Sequence, residues 1–235
     1  MPCFTLQRGA ALLLIAAATG TFLLSVATAG CGPETSPPAD AGTDAKVGCQ
    51  LAFIGDAAQP IELEIIALKA DYTSTKVAEG DAVALLFPPQ GGRVIFAGVR
   101  ARNLDPCGVE LIGSLRDLDT QQIRSDMRTI NLRASADGWG QSADTDIASF
   151  ANVPICPNEW SKPNIYGTKY QLELTLIDRA KHQVMKTVGV TPVCAEPENA
   201  AECACICKGG YVLGEMCSSS DAGSSGSSGA GGMSP

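Results

Sequence analysis

The chain has little histidine, and this scarcity excludes two common classes of hydrolase. Its 235 residues include one histidine, His182. A catalytic zinc ion usually needs several histidine ligands, and a serine hydrolase would have to combine His182 with a nucleophile elbow. The Gly-x-Ser-x-Gly sequence of such an elbow does not occur in the chain. His182 stands between two strand-like segments, so we interpret it as a solvated turn residue.

Positive charge is also scarce, which argues against nucleic-acid binding. The chain has 17 lysines and arginines against 25 aspartates and glutamates, a formal net charge of −8. Nucleic-acid-binding proteins present a basic face to the phosphate backbone. The sequence also lacks a glycine-rich loop followed by the Lys and the Ser or Thr that hold nucleotide phosphates. We therefore expect no nucleic-acid partner and no bound cofactor.

Residues 1–30 have the pattern of a secretory signal peptide. Arg8 is the one charged residue in this segment, and an apolar run at residues 9–29 is rich in Ala, Leu, Val and Ile and ends in small residues. The run is about as long as the roughly 20 residues that span a bilayer, so an uncleaved transmembrane anchor is an alternative. The small residues at the end of the run favour cleavage.

Two cleavage sites overlap at the end of this run. Ala27-Thr28-Ala29 fits the small-x-small rule of ordinary signal peptidase. Thr28-Ala29-Gly30-Cys31 resembles the lipobox of bacterial lipoproteins, although that family usually has an aliphatic residue at the position of Thr28. The resemblance implies that Cys31 carries lipid and becomes the new N-terminus. Lipidation leaves an even number of other cysteines, which can all pair, whereas ordinary cleavage leaves an odd number. We therefore predict a lipid-anchored protein of the bacterial cell envelope, with the outer membrane as its expected location.

Segments without core-forming residues flank the middle of the chain. Residues 31–48 contain Pro33, Pro37 and Pro38, so we predict a disordered tether with a reach on the order of 50 Å. Residues 218–235 consist mainly of Ser and Gly, which predicts a disordered tail. The folded part is expected between these segments.

Residues 49–193 show the period-two pattern of strands that are exposed on one side. Residues 61–65 alternate apolar and acidic side chains, and residues 170–176 place apolar side chains on one face. Residues 88–92 are turn residues between two apolar segments and predict a hairpin. Since no amphipathic helix of ordinary length interrupts this pattern, we predict an all-β fold, an antiparallel β-sandwich.

Residues 167–178, followed by residues 184–190, resemble the last hairpin of immunoglobulin-like domains. In that family a Tyr at the start of the penultimate strand ties a corner of the fold, and the resemblance implies this role for Tyr170. Leu172 stands where antibody domains carry their second core cysteine. We therefore predict an immunoglobulin-like sandwich. The alternative for Tyr170 is an ordinary half-buried strand residue.

Cysteines are crowded into residues 194–217. Zinc binding is one interpretation, but structural zinc sites prefer more widely spaced ligand pairs. Redox catalysis is another, but it favours a Cys-x-x-Cys pair beside a basic group. An exported chain meets oxidising conditions, in which such thiols pair. We therefore predict disulfides among the cysteines that follow Cys31, namely Cys49, Cys107, Cys156, Cys194, Cys203, Cys205, Cys207 and Cys217.

Two specific disulfide pairings are expected. Residues 205–217 read Cys-x-Cys-x-x-Gly-Tyr followed by a last cysteine, and they resemble the closing half of EGF-like modules. The resemblance implies that residues 194–217 form a small disulfide-rich hairpin with a Cys207–Cys217 bridge. No calcium site is carried over, because the first half of the module is missing. A Cys156–Cys194 bridge would join the entry and the exit of the terminal hairpin region. The remaining connectivity stays open.

Two loop tryptophans and two neighbouring arginines form the candidate binding surface. Trp139 and Trp160 lie in loop-like sequence, where an exposed ring stacks on a sugar or anchors a protein partner. Arg100 and Arg102 belong to a run of seven arginines within residues 93–133, which could line a face suited to anionic sugars or phosphates. Alternatively, the tryptophans plug the ends of the sandwich, and the arginines are solvated and paired with acids.

Two pairs of loop acids leave a second function open. Asp117 with Asp119, and Asp144 with Asp146, could bind calcium or act as acid and base, but we favour solvated turn residues and expect no bound metal. We predict a non-catalytic envelope lipoprotein that presents its β-sandwich to a surface protein or glycan, or contributes to envelope structure. The alternative is a secreted hydrolase that uses loop carboxylates on polysaccharide. That alternative requires acids that converge in a cleft with raised pKa values.

Overall fold

The computed structural model describes residues 49–217, which form two β-sheets and one short α-helix. The predicted signal peptide, Cys31, the rest of the linker to residue 48 and the tail from residue 218 lie outside the described residues. Within residues 49–217, no helix is both long enough and apolar enough to cross a membrane. The elements are β1 (Glu62–Leu68), β2 (Ser74–Lys76), β3 (Asp81–Leu85), β4 (Arg93–Arg102), β5 (Val109–Asp117), β6 (Ile123–Ile130), β7 (Arg133–Ala134), β8 (Gly140–Gln141), β9 (Ala151–Cys156), β10 (Tyr170–Ile177), β11 (Gln183–Cys194) and α1 (Ala200–Ile206).

The strands form two sheets that pack face to face, and the all-β prediction is confirmed. The first sheet has the order β2-β1-β4-β8-β7, with β9 also paired to β4, and the second has the order β3-β11-β10-β5-β6. The strand pairs are antiparallel except one, because β3 runs parallel to the last residues of β11. The expectation of purely antiparallel sheets is therefore wrong at this edge.

The turn at residues 88–92 closes a single antiparallel bridge, with reciprocal hydrogen bonds between Leu86 and Val94, and the pairing goes no further along β3 and β4. β3 and β4 lie in different sheets. The turn is tight: φ is +78° at Gly92, and a Cβ atom there would lie 2.5 Å from the Cys156 carbonyl oxygen. The turn residues were identified correctly, but the partners of the flanking strands come from distant parts of the chain.

The core lies between the two sheets. The predicted apolar face of residues 170–176 is buried, with Tyr170, Leu172, Leu174 and Leu176 inside. Gly113 on β5 allows the sheets to come close, since a Cβ atom there would lie 2.7 Å from the Cβ atom of Ala151 on β9. Alternation along each strand therefore positions the core and leaves the opposite face of each sheet for other contacts.

Lys186 breaks the apolar pattern of β11 without leaving a charge in the core. It shares the inward-facing parity of Val184 and Val188. Its side chain extends to the edge of β1, where Nζ donates to the carbonyl oxygen of Leu63 at 3.3 Å. The aliphatic stem covers apolar surface while the ammonium group reaches a polar partner.

A buried arginine fixes α1 to the first sheet. The Arg93 side chain of β4 is fully buried, pairs with Glu202 of α1, and donates to the carbonyl oxygens of Gly92 and Asn199 at 2.8 and 3.3 Å. Its guanidinium carbon also lies 4.9 Å from the centre of the Phe87 ring. Because a buried charge needs a partner, the position of α1 is coupled to this side chain.

The eight cysteines between residues 49 and 217 form four disulfides, which confirms the predicted framework. The pairs are Cys49–Cys107, Cys156–Cys207, Cys194–Cys203 and Cys205–Cys217. Both specific pairings expected from the sequence, Cys207–Cys217 and Cys156–Cys194, are therefore wrong.

The pairing errors arise because residues 194–217 do not form a hairpin. The end of β11 is followed by α1 and then by a loop. In a strand, Cys203, Cys205 and Cys207 would share one face, whereas around a helix residues four apart share a face. Cys203 and Cys207 are therefore both buried, and each bonds to a strand cysteine. Cys205 lies on another side of α1 and bonds to Cys217.

Candidate binding surface

The outer face of the first sheet carries a row of paired charges. Arg100 and Arg102 of β4 are two residues apart and so point to the same side. The register of β1 against β4 places Glu64 opposite Arg100 and Glu62 opposite Arg102. In each of these two pairs a guanidinium nitrogen lies 2.7 Å from a carboxylate oxygen. Lys76 of β2 extends the row, with Nζ 2.9 Å from Glu64 Oε2.

Trp139 lies against both arginines. It belongs to the loop between β7 and β8, where the backbone N–H of Ser135 donates to the Trp139 carbonyl oxygen at 2.7 Å and the Ser135 hydroxyl donates to Asp137 Oδ1. Gly138, with φ of +79°, lets this loop turn back on itself. The guanidinium carbons of Arg100 and Arg102 lie 5.1 and 4.9 Å from the centre of the indole ring, within cation–π range. Three of the four residues predicted for a binding surface are thus brought together.

Acidic side chains cancel the positive charge around Trp139. Arg100, whose side chain is 12% exposed, pairs with Asp137 as well as Glu64. The hydrogen bond from the Ser135 hydroxyl lowers the pKa of Asp137; desolvation opposes this effect, while the Trp139 N–H and Arg100 add to it. Asp137 is therefore ionised at neutral pH. We define the Trp139 surface as Trp139 with three basic and three acidic side chains, Lys76, Arg100, Arg102, Glu62, Glu64 and Asp137.

Among the other arginines of residues 93–133, only Arg133 shares the face of Arg100, because both are opposite Gln141 in the sheet. Arg93 is buried beneath α1. Arg116 and Arg128 lie in the second sheet, beside Glu173 at 3.9 Å and Asp126 at 2.6 Å. The arginines therefore do not line one face suited to anions, and the alternative, pairing with acids, describes Arg93, Arg116 and Arg128.

Trp160 is not part of the Trp139 surface. Its residue is 8% exposed, its indole N–H donates to the Ile155 carbonyl oxygen at 2.9 Å, and its ring centre lies 5.6 Å from that of Tyr170. Of the two interpretations offered for Trp160, plugging the sandwich is correct and surface exposure is wrong. The loop after β9 folds back onto the core, which buries the large apolar ring and satisfies its one polar atom.

A buried hydrogen-bond network surrounds Asp117 beside Trp160. The Ser161 hydroxyl donates to Asp117 Oδ2 at 2.6 Å and lies 2.7 Å from the Tyr170 hydroxyl, while Oδ1 accepts the N–H groups of Asp119 and Thr120 at 2.8 and 3.0 Å. Burial tends to raise the pKa of Asp117, but these hydrogen bonds outweigh it and hold the pKa below its usual value. Burial raises the pKa of Tyr170, against the opposing effect of its hydrogen bond with Ser161. Asp117 is thus a structural anion, and its pKa shift is opposite to the one the hydrolase alternative requires.

The second acid pair also serves local structure. Asp144 Oδ2 accepts the backbone N–H of Ser74 at 3.0 Å. Asp146 caps the short 3-10 helix that follows it, through the N–H of Ala148 at 3.1 Å. Within residues 49–217, no group of three or more His, Cys, Asp or Glu side chains is arranged to hold a metal ion.

His182 lies in the turn between β10 and β11, where the sequence placed it. Its side chain is exposed, its backbone N–H donates to Asp178 Oδ1 at 2.8 Å, and its Nδ1 lies 3.0 Å from Asp178 Oδ2. An open groove of about 600 Å³ beside this turn is lined in part by Phe53, Ile61 and Val184. The histidine and the aspartate of the turn bind each other, so the contacts of His182 are those of a turn residue.

Sequence reasoning missed the acidic half of the Trp139 surface. The alternation of residues 61–65 already placed Glu62 and Glu64 on one face, so their shared exposure was predictable. Their pairing with the arginines was not, because the partners are 36 and 40 residues away along the chain. Asp137 carried a local signal, since it stands two residues before Trp139 in a turn-like sequence.

Comparisons with known proteins do not assign a family. The chain matches no protein-family model, and no curated protein is significantly similar to it. Its function must therefore be inferred from the residues described above.

Proposed function

We propose that this chain is an exported bacterial lipoprotein whose β-sandwich binds a protein or a glycan of the cell envelope through the Trp139 surface, without catalysis. The observation that carries this proposal is the contact of Trp139 with Arg100 and Arg102 on the outer face of a sheet. Tryptophan and arginine are the residues that most often supply binding energy at protein interfaces. Aromatic rings with nearby hydrogen-bonding groups also suit sugars, which have apolar ring faces and polar edges.

The mutual pairing of charges supports binding over catalysis. In the Trp139 surface each acid contacts a basic group, an arrangement that holds side chains in place. A general acid or base has to exchange protons with a substrate. The loop acids considered for catalysis are used by turns and caps, as described for Asp117, Asp144 and Asp146.

The disulfides support the lipid anchor. The eight cysteines of residues 49–217 all pair with one another, so Cys31 would be left as a lone thiol in an exported chain cleaved before residue 30. Attachment of the lipid to the Cys31 sulfur as a thioether removes that thiol. An outer-membrane location and an immunoglobulin-like arrangement of the sandwich belong to the same proposal. The hydroxyl of Tyr170, hydrogen-bonded to the loop at Ser161, is consistent with the corner-tying role implied by the immunoglobulin resemblance.

A binding experiment with matched variants tests the proposal. Labelled protein is added to three probes: outer-membrane vesicles, peptidoglycan sacculi, and a panel of neutral and acidic bacterial polysaccharides. We expect Trp139→Ala to weaken binding to one of these probes at least about tenfold, as for the loss of a central aromatic anchor. Phe53→Ala is the control, because Phe53 is an exposed aromatic residue outside the Trp139 surface. Equal binding of both variants, or no binding to any probe, would contradict the proposal.

A further inference from the structure

The outer face of the second sheet carries an apolar row that crosses four strands. The registers place Met127 of β6, Ile112 of β5, Thr175 of β10 and Met185 of β11 side by side. Met127 and Met185, at the two ends of the row, are 64% and 57% exposed. Such a row is more apolar than the exposed face of an ordinary half-buried sheet. We call these four residues the Met127–Met185 row.

The row is self-complementary under a two-fold axis parallel to the strands. Such an axis places β6 of one copy against β11 of the other, and β5 against β10. Met127 then faces Met185 of the second copy, and Ile112 faces Thr175. A symmetric dimer needs one patch that matches itself in this way, since both partners use the same residues. The row has a methionine at each end, so the same residues match one another when the axis superposes the two copies.

The charges beside the row are compatible with the same axis. In the neighbouring outward-facing row, two residues further along β5, Ser114 faces Glu173 of the second copy. In the row after that, the Glu79 carboxylate occupies the space beside Gly189 and accepts its N–H, and the axis places it next to Arg116 of the second copy. The axis also sets the two Glu173 side chains one strand apart across the interface, and the two Arg116 side chains likewise, while each Glu173 lies diagonally across from Arg116 of the other copy. Glu173 and Arg116 of the two copies therefore form a mixed cluster in which each charge has an opposite charge nearby.

The area of the face fits a weak dimer. Four strands spaced about 4.8 Å apart and seven residues long at about 3.4 Å each cover roughly 450 Å² on each copy. Protruding side chains make the accessible area larger than this projected area, so two such faces together bury on the order of 1,000 Å². This area is the lower limit for a specific interface. A second copy therefore matches this face in apolar pattern and in size. Sheets that pack face to face keep a small angle between their strand directions, which arises from the twist of each sheet.

We propose that the Met127–Met185 row is a homodimer interface, in which two copies pack the outer faces of their second sheets about a two-fold axis parallel to the strands. The Trp139 surface belongs to the other sheet, so dimerisation leaves it open on both copies. The dimer does not depend on the proposed function, and each can fail without the other.

Sedimentation velocity of the full chain, in detergent if it carries lipid, tests the dimer over loading concentrations from about 1 µM to about 1 mM. We expect the wild type to pass from monomer to dimer within this range. Met127→Glu and Met185→Lys should each weaken self-association at least about tenfold, since each buries a charge against a methionine. Both positions are exposed in the monomer, so the variants are expected to fold, which far-UV circular dichroism checks.

Mixing the two variants tests the register of the interface. In the proposed dimer, the carboxylate introduced by Met127→Glu in one chain faces the ammonium group introduced by Met185→Lys in the other, while the remaining contact keeps two methionines. A mixture of the two variants should therefore form heterodimers at concentrations where neither variant alone dimerises. Met216→Glu is the control, because Met216 is exposed in the loop after α1 and should leave association unchanged. A wild type that stays monomeric at about 1 mM, or variants that dimerise as well as the wild type, would overturn the proposal. Failure of the mixture to associate would overturn the proposed axis.

Discussion

The buried network around Asp117 makes a quantitative prediction about stability. Asp117→Ala removes the acceptors of the Ser161 hydroxyl and of the N–H groups of Asp119 and Thr120. A buried donor left without an acceptor costs about 1–3 kcal/mol, and the turn amides can regain water, so we expect a loss of about 3 kcal/mol. Asp117→Asn keeps one oxygen for the two N–H groups, and its amide can donate to Ser161, which can then donate to Tyr170. We expect this variant to lose about 1 kcal/mol.

Thermal unfolding measures this difference directly. For a chain of this size 1 kcal/mol corresponds to about 2–4 °C, so Asp117→Ala should lower Tm by about 6–12 °C and Asp117→Asn by about 2–4 °C. The pH dependence has a definite sign. The pKa of Asp117 is lowered in the folded state, so its contribution is complete above the unfolded-state pKa and is lost as the pH falls through the folded-state pKa. The stability gap between wild type and Asp117→Asn should therefore close in acid. Equal losses for the two variants, or a gap that does not depend on pH, would refute this account of the network.

Two further predictions concern the cysteines. Removing the Cys49–Cys107 bridge by double Ala substitution should cost about 4 kcal/mol, and removing Cys205–Cys217 about 3 kcal/mol, because the bridges span 58 and 12 residues and the unfolded chain regains more freedom from the longer loop. Denaturant unfolding measures both losses, and a larger loss for the shorter loop would contradict this reasoning. Intact mass of the membrane-extracted protein should begin at Cys31 with added lipid, and reduction should add eight hydrogens, two for each of four disulfides. A lipid-free mass that begins at Gly30 would contradict the proposed anchor.

Features fixed by neighbouring residues were predictable from the sequence. The alternation of residues 170–176 identified β10 and its buried face, and the turn before β11 was recognised from its residues. The pairing partner of each strand was harder to predict from the sequence. β3 pairs in parallel with the end of β11, more than 100 residues later, and no local pattern encodes that choice.

The C-terminal segment shows how a short pattern can be misjudged. The hairpin was expected because residues 205–217 resemble the closing half of EGF-like modules. The alanines at Ala200, Ala201 and Ala204 carried the opposite signal, because alanine has the highest helix propensity. Seven residues are too few for periodicity alone to separate a helix from a strand, so the disulfide partners could not be assigned from spacing.

The two tryptophans illustrate the same limit at the functional level. Both stand in loop-like sequence, but Trp160 is buried against Tyr170 whereas Trp139 rests on the charged face of the first sheet. Their different positions depend on where each loop docks, which is a property of the whole fold.

The arginine run alone suggests a positively charged face, but Glu64 and Asp137 pair with Arg100 and offset its charge. Because charges on the Trp139 surface cancel, the partner that we propose would gain little from net charge there. We therefore propose that selectivity comes from the shape of the indole and the positions of the hydrogen-bonding groups around it, which favours a partner with an apolar face and polar edges.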